Sequence, residues 1–219
     1  MVVLDQRKHE GFSIMARDLQ PIVKMSRREG YALHPKAHKA LVKRATPANP
    51  GGRNSRNKPS QYAIQLREKQ KVKRLYGLLE RQFRKLMAEA DRTEGQSGEH
   101  LLIFLERRLD NAVYRSGLAV SRRSARQLVT HGHFMLNGRR VDIPSIRIKP
   151  GDEIVLREAS KSNEYFKKID DVSPGGQENE ASWLTIDRKK FKISITGIPT
   201  RDEVEPDINE QLIVEYYSR

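Results

Sequence analysis

Apolar spacing divides the chain into a patternless beginning, a helical middle and a short strand-and-turn region. Leu75, Leu78, Leu79, Phe83, Leu86, Met87 and Ala90 recur at three- and four-residue steps, while Arg81, Arg84 and Lys85 fall off that stripe. The spacing predicts one amphipathic helix. Ahead of it, Pro59-Ser60 reads as a helix entry with Ser60 as N-cap for QYAIQLREKQKVKRLYG, and Gly77 as a junction. Ser97 and Gly98 open a further helix through HLLIFLERRLDNAVYRS, with Leu101, Leu102, Leu105, Leu109, Ala112 and Val113 as its buried stripe and Gly117 at C′. Ser121 caps a third, from Arg122 to about Thr130.

Beyond Thr130 the period changes. Phe134-Met135-Leu136 and Val141 flank Asn137-Gly138, a strong hairpin signal because both turn residues tolerate positive φ. Pro150-Gly151-Asp152 is a second turn, and Glu153 to Arg157 reads as the returning strand. The first 50 or so residues carry no sustained apolar period and end in TPANPGGRNSRNKP, so they read as an extended or loosely helical arm. Two helices followed by a small sheet make an α+β module.

Charge turns this outline toward a partner. Forty-two Lys and Arg against 28 Asp and Glu leave a formal charge of +14 and a pI near 10.1, which points to a polyanion. Between Arg53 and Lys85 stand Arg53, Arg56, Lys58, Arg67, Lys69, Lys71, Lys73, Arg74, Arg81, Arg84 and Lys85 against Glu68 and Glu80, which reads as a cationic surface. The last third is richer in acid and is not expected to grip phosphate. The chain has no cysteine, hence no disulfide and no thiolate metal site, which suits a cytoplasmic protein. No apolar run approaches the roughly 20 residues that span a bilayer, so no membrane association is expected.

On the helix capped by Ser121, Ala125, Leu128 and Val129 face the preceding helix while Arg122, Arg123 and Arg126 project outward. The hairpin turns Phe134, Leu136 and Val141 inward and leaves Asn137, Arg139 and Arg140 at its tip. Together they predict one cationic ledge. A guanidinium fork suits phosphate, and folded RNA is recognised largely through backbone shape. Other constellations have plainer readings. Glu99, Glu106 and Asp110 read as salt-bridge partners, His34 and His38 as surface histidines without a third ligand, and Trp183, Tyr216 and Tyr217 as core aromatics. No phosphate-cradling glycine loop and no nucleophile elbow is present.

SRRSARQLVTHGHFMLNGRRVDIPS followed by KPGDEI closely resembles the S-four RNA-binding domain. LREKQKVKRLYGLLERQFR, GEHLLIFLERRLDNAVYR, SWLTID and INEQLIVEYYSR extend the resemblance, from Met15 to Arg219, to the bacterial small-subunit ribosomal protein S-four family. The resemblance implies a mainly helical domain carrying an inserted helix-loop-helix and small β-sheet module. Its divisions fall at 1–44 (extension and arm), 45–105 (helical domain, first part), 106–169 (RNA-binding module) and 170–219 (segment completing the helical domain). It implies a structural, non-enzymatic primary binder of small-subunit rRNA, without cofactor. Such a protein docks on a multi-helix junction of the 5′ domain, nucleates assembly, and lies near the messenger entry region, where it bears on decoding accuracy. Implied neighbours are ribosomal proteins S-five and S-three, with messenger RNA nearby and no homo-oligomer. The candidate RNA-facing residues are Arg53, Arg56, Lys58, Arg67, Lys69, Lys71, Lys73, Arg74, Ser121, Arg122, Arg123, Arg126, Gln127, His131, Asn137, Arg139 and Arg140.

Two other readings compete. RNA-modifying enzymes share the module but add a large catalytic domain, and only about 50 residues follow it here. A free-standing module acting transiently on ribosomes would not need the long helical region or the INEQLIVEYYSR end. The chain departs from many relatives in the arm, where Val23 and Ser26 stand in place of two zinc-binding cysteines, and residues 1 to 14 precede the family-like start and are expected to be dispensable. Elemental analysis of the purified protein should therefore find no stoichiometric zinc; one zinc per chain would refute the zinc-free assignment.

Overall fold

The apolar stripes close into two cores, and the boundary between them fixes the architecture. The computed structural model describes residues 20–43, 59–172 and 181–218. The helices α1 (Ile22–Glu29), α2 (His38–Lys43), α3 (Gln61–Leu75), α4 (Glu80–Ala90), α5 (Ser97–Glu106), α6 (Leu109–Arg115) and α7 (Arg122–Thr130) precede strands β1 (Phe134–Leu136), β2 (Arg139–Val141) and β3 (Glu153–Leu156). Single-turn helices α8 (Glu158–Lys161), α9 (Glu164–Lys167) and α10 (Ile169–Val172) lead to β4 (Leu184–Asp187), β5 (Lys192–Ile195) and the last helix α11 (Glu210–Tyr217). The fold is α+β.

The first core is helical. Met25 and Leu33, Val72 and Leu75, Phe83 and Met87, Leu101 and Leu105, and Ile213 meet there. The Ser60 hydroxyl accepts from Ala63 N and opens α3 as its position predicts. At the other end of α3, Gly77 takes φ 65, with Gly77 N donating to Arg74 O and Leu78 N to Lys73 O. These two bonds are a Schellman stop. The stripe from Leu75 to Ala90 is consequently carried on two helices with a sharp turn between them, not on one.

The second core lies under a five-stranded sheet of order β2-β1-β3-β5-β4, antiparallel throughout. Ala112, Val113, Ala125 and Val129 from α6 and α7 pack against Phe134, Ile154, Leu156, Ile193 and Ile195. Asn137 and Gly138 take φ 49 and 78, the left-handed pair that a two-residue hairpin requires.

Three expectations are corrected. The arm is not loose between 22 and 43, because α1 and the turn after it seat Met25, Leu33 and Ala37 in or against the helical core. The helix expected from Ser97 to Ser116 breaks at Arg107 and Arg108. There Leu109 N donates to Ile146 O, Asp110 N to Pro144 O and Ile148 N to Arg107 O, so a distant loop takes the backbone groups an unbroken helix would use. The segment after residue 170 is shared between the cores. β5 pairs with β3 and brings Trp183, Leu184, Ile193 and Ile195 into the sheet core, while only Val204, Ile208 and α11 return to the helical one.

Asn209 caps α11 by accepting from Leu212 N, and Ile213 is 0% exposed between α3 and α5. Ile213→Ala should destabilise the protein by about 2 to 5 kcal/mol, as core truncations of this size do. Deletion of residues 209–219 should lower the melting temperature further. Unchanged unfolding of either protein would mean that α11 is not part of the core.

Candidate nucleic-acid interface

The candidate surface is built where α7 meets the first hairpin. Ser121 holds extended backbone (φ −165) and its hydroxyl accepts from Ser124 N, so α7 starts at Arg122. Ala125 and Val129 then turn inward, with Leu128 packed beside them. Arg123, Gln127 and His131, four residues apart, stay exposed along the opposite face.

The hairpin tip is fastened rather than loose. Asn137 N donates to Glu153 O, its Nδ2 donates to Asp152 Oδ1 at 2.8 Å, and its Oδ1 accepts from Glu153 N at 2.8 Å. Asn137 thus serves the turn, while Arg139 and Arg140 are exposed on the strand that follows. The Arg140 guanidinium lies against Gly132 just past α7; a Cβ there would sit 2.6 Å from Arg140 Nε. Gly132 also takes φ 69, and this left-handed backbone is what calls for glycine there. Arg140 thereby brings the hairpin against the end of α7, next to His131 at the foot of the exposed row Arg123, Gln127 and His131, while Arg139 is exposed on the opposite face of the strand.

Arg122 is the chief departure from the predicted ledge. It turns inward, with Nε donating to Asn111 Oδ1 and Nη2 to Glu205 Oε1, both at 2.9 Å, and its side chain is only 13% exposed. Its guanidinium also lies over the rings of Tyr76 and Tyr114, at 4.9 and 4.6 Å. Burial raises the pKa of Glu205, but the charge and hydrogen bond of Arg122, with Arg115 and the Tyr31 hydroxyl, together outweigh it and hold the carboxyl below its ordinary value. Arg126 is half-buried, 3.4 Å from Asp110, and Ser121 is buried with its hydroxyl engaged as the cap. The signal was present: Arg122 stands three residues before Ala125 and seven before Val129, on the buried stripe itself.

The α3 cations also face inward more than their density predicts. Lys69 is buried and donates to Glu80 Oε1 at 2.7 Å, and Lys73 donates to Glu80 Oε2 at 2.9 Å. Burial pushes the Glu80 pKa up, but hydrogen bonds from Lys69, Lys73 and Tyr217 overcome it and bring the value down to about 2. Lys71 donates to Asp207 O and pairs with Glu68, and Arg74 pairs with the shielded Glu29 carboxylate. Only Arg67 of this group is exposed, with a 3.4 Å contact to Glu29. These cations lock α3 to α1, α4 and the C-terminal segment. Arg53, Arg56 and Lys58 lie outside the described residues. Arg81, Arg84 and Lys85, absent from the candidate set, occupy the exposed face of α4, as their off-stripe spacing indicates. Among the described residues no cluster of three or more His, Asp or Glu could hold a metal ion.

Comparison with known proteins gives this geometry its context. The family described as "Ribosomal protein S4/S9 N-terminal domain" matches residues 17–106, and the one described as "S4 domain" matches residues 107–154. Over 211 residues the chain is 47% identical to the small ribosomal subunit protein uS4 of Herpetosiphon aurantiacus, with 94% of this chain and 100% of that protein covered. The chain belongs to the ribosomal protein S4 family. Similar relatives of the same name come from Chloroflexus aurantiacus (46% identical over 206 residues) and Thermus thermophilus (44% over 211 residues), each covering 94% of this chain and matched over its full length. The two family matches meet at residues 106 and 107, between Leu105 of the helical core and Leu109 of the sheet core.

The inward turn of Arg122 separates folding from binding. Arg122→Ala should cost about 3 kcal/mol in a denaturant titration, because Glu205 and Asn111 lose their partner. Arg139→Ala and Arg140→Ala, on the exposed strand, should each change stability by about half a kcal/mol or less. A stability-neutral Arg122→Ala would show that its pairing is incidental.

Proposed function

We propose that the protein is a structural, non-catalytic constituent of the small ribosomal subunit in the cytoplasm, and that it binds small-subunit rRNA through the surface formed by α7 and the first hairpin. The observation that supports this reading is the seating of Arg140 on Gly132, next to His131 at the end of the exposed row of Arg123, Gln127 and His131. Guanidinium and amide donors held at fixed spacing suit phosphate and sugar contacts, which position a protein on folded RNA. The relatives' shared name, small ribosomal subunit protein, supplies the assembly.

In finer detail, the proposed target is a multi-helix junction of the rRNA 5′ domain, engaged early in assembly near the messenger entry region, where the protein bears on decoding accuracy. Ribosomal proteins S-five and S-three are the proposed neighbours. The proposed division of labour assigns RNA contact to Arg67, Arg123, Gln127, His131, Arg139 and Arg140. Lys69, Lys71, Lys73, Arg74, Ser121, Arg122, Arg126 and Asn137 hold those groups in place and add to the positive field. A helical unit of 59–106 with 200–218, and an inserted unit of 107–196, describe the domains better than a cut at 169/170, because β4 and β5 pair into the sheet.

The test compares an rRNA junction with a simple RNA duplex. Replacing Arg123, Arg139 and Arg140 by alanine should weaken binding to the junction more than to the duplex. It should also flatten the plot of log affinity against log salt by roughly 0.7 to 0.9 for each phosphate that is no longer neutralised. An equal effect on both RNAs would reduce the surface to a generic cationic patch, and unchanged binding by a folded variant would refute it. In parallel, the protein should remain stoichiometric with small subunits through a salt wash, and its release would favour a transient factor.

A further inference from the structure

The two hairpins of the sheet share a feature that the acid-rich composition of the last third conceals. Among the described residues only two non-glycine positions take positive φ: Asn137 at 49° and Phe191 at 50°. Asparagine adopts this conformation readily, whereas a phenylalanine there is a true outlier that its surroundings must enforce. Each closes a hairpin, and each hairpin carries consecutive cations: Arg139-Arg140 in the first, Arg188-Lys189-Lys190 in the second.

The second turn is held from three sides. Phe191 N donates to Arg188 O at 3.2 Å, which makes Lys189 and Lys190 the two corner residues of a β-turn. Asp187 Oδ1 accepts from Lys190 N at 3.1 Å and caps it. The Phe191 ring packs edge-on against Phe166 in the sheet core, its carbonyl accepts from Leu156 N, and Arg188 Nη2 reaches Gly117 O. What this anchoring exposes is the lysine pair, with the Lys190 side chain 77% accessible and only a loose 3.6 Å approach to Asp187.

The turn also lies in line with the first surface. Arg140, Met135, Val155, Lys192 and Asp187 are successive register partners across all five strands, on the sheet face away from Phe134, Ile154 and Ile193. Three strand spacings put Arg140 and Lys192 about 14 Å apart. At the same end of the sheet Arg157 donates to Gly132 O, beneath the Arg140 guanidinium. Cations therefore run from α7 across this end to the second turn.

We infer that the β4–β5 turn, through Lys189 and Lys190, is a second RNA-backbone contact, continuous with the surface around Arg140 and engaged by the same RNA; Lys192, beside it, is held by Glu153 at 2.6 Å. The inference rests on the RNA-binding reading above. An acidic protein segment is the competing occupant. An anchored turn with two outward ammonium groups offers two point contacts at fixed spacing, as a phosphate backbone requires, and it needs no base-specific geometry.

Two measurements on the full chain test this. Lys189→Ala with Lys190→Ala should leave the melting temperature unchanged and lower the salt slope for an rRNA 5′-domain fragment by about 1.4 to 1.8, two phosphates at 0.7 to 0.9 each. Because the chain lacks cysteine, Lys190→Cys provides a single attachment point for a hydroxyl-radical source, and Arg139→Cys provides a reference probe. Discrete rRNA cleavage from both positions is expected. Cleavage from position 139 alone, with an unchanged slope in the double variant, overturns the second contact and leaves the first standing. Failure of the unmodified protein to bind the fragment overturns the RNA-binding reading itself. An unchanged slope, with position 190 protected only when another subunit protein is added, gives the turn to a protein partner and also overturns the inference.

Discussion

The joint between the two cores is centred on one buried carboxylate. Glu106, 0% exposed, accepts from the Tyr76 hydroxyl at 2.6 Å, from Asn111 Nδ2 at 2.8 Å, and from Arg115 Nε and Nη2, both at 3.0 Å. It stands where the helical core ends and the sheet core begins. The network runs on through Asn111 to Arg122, from Arg122 to Glu205, and from Glu205 to the Tyr31 hydroxyl, so both cores and the turn after α1 share it. Apolar packing at such a seam would hold the two cores together without fixing their rotation, because dispersion and hydrophobic forces lack direction. Bidentate charge-assisted bonds have direction. Removing one partner strands a buried charge, which costs more than the net worth of the intact set.

This explains why cation density is a poor guide to which cations meet solvent. Length, charge and polyanion preference are properties of composition; whether a given guanidinium meets solvent is a property of helical phase and of acids far along the chain. Arg122 and Arg123 are neighbours, yet one shares its face with Ala125 and Val129 and finds Glu205, while the other shares its face with Gln127 and His131. The same logic governs α3, where Glu29, Glu80 and the carbonyl of Asp207 draw in four of five cations. Those partners lie up to 136 residues away in sequence. Glu80 is seven residues from Lys73 and within local reach, but Glu29 and Asp207 are not.

Local chemistry was legible wherever a single residue suffices. The Ser60 and Ser121 caps, the Gly77 stop and the Asn137-Gly138 turn each follow from an orphan amide or a required φ, and each stands where its residue predicts. The break between α5 and α6 was hidden because three- and four-residue spacing continues on both sides, and only the backbone groups of residues 144–148 reveal it. The strand β5 was hidden differently. Lys192-Ile193-Ser194-Ile195 alternates as a strand should, but it is only four residues long and its partner β3 lies about 40 residues earlier, so its pairing has no local signal. Asn137 and the arginines beyond it form one group in the sequence, whereas in the fold the amide is consumed by Asp152 and Glu153 in building the turn that carries the arginines.

The path of the chain gives the buried network its mechanical meaning. The chain enters the sheet unit at Glu106 and leaves it toward Glu203, and Arg115 binds both points, donating to the Glu106 carboxylate and, at 3.3 Å, to the Glu203 carbonyl. An insertion attached by two adjacent strands of backbone can swing about the line that joins them. Arg115 clamps the two strands together, and Arg122, reaching from α7 to Glu205, lies off that line and opposes rotation. The surface around Arg140, proposed above for RNA, is therefore presented at a set angle to the helical unit, which lowers the ordering cost that binding there would have to overcome. A folded RNA with fixed phosphate positions gains most from such a partner, because a swinging module would have to be immobilised anew for each contact.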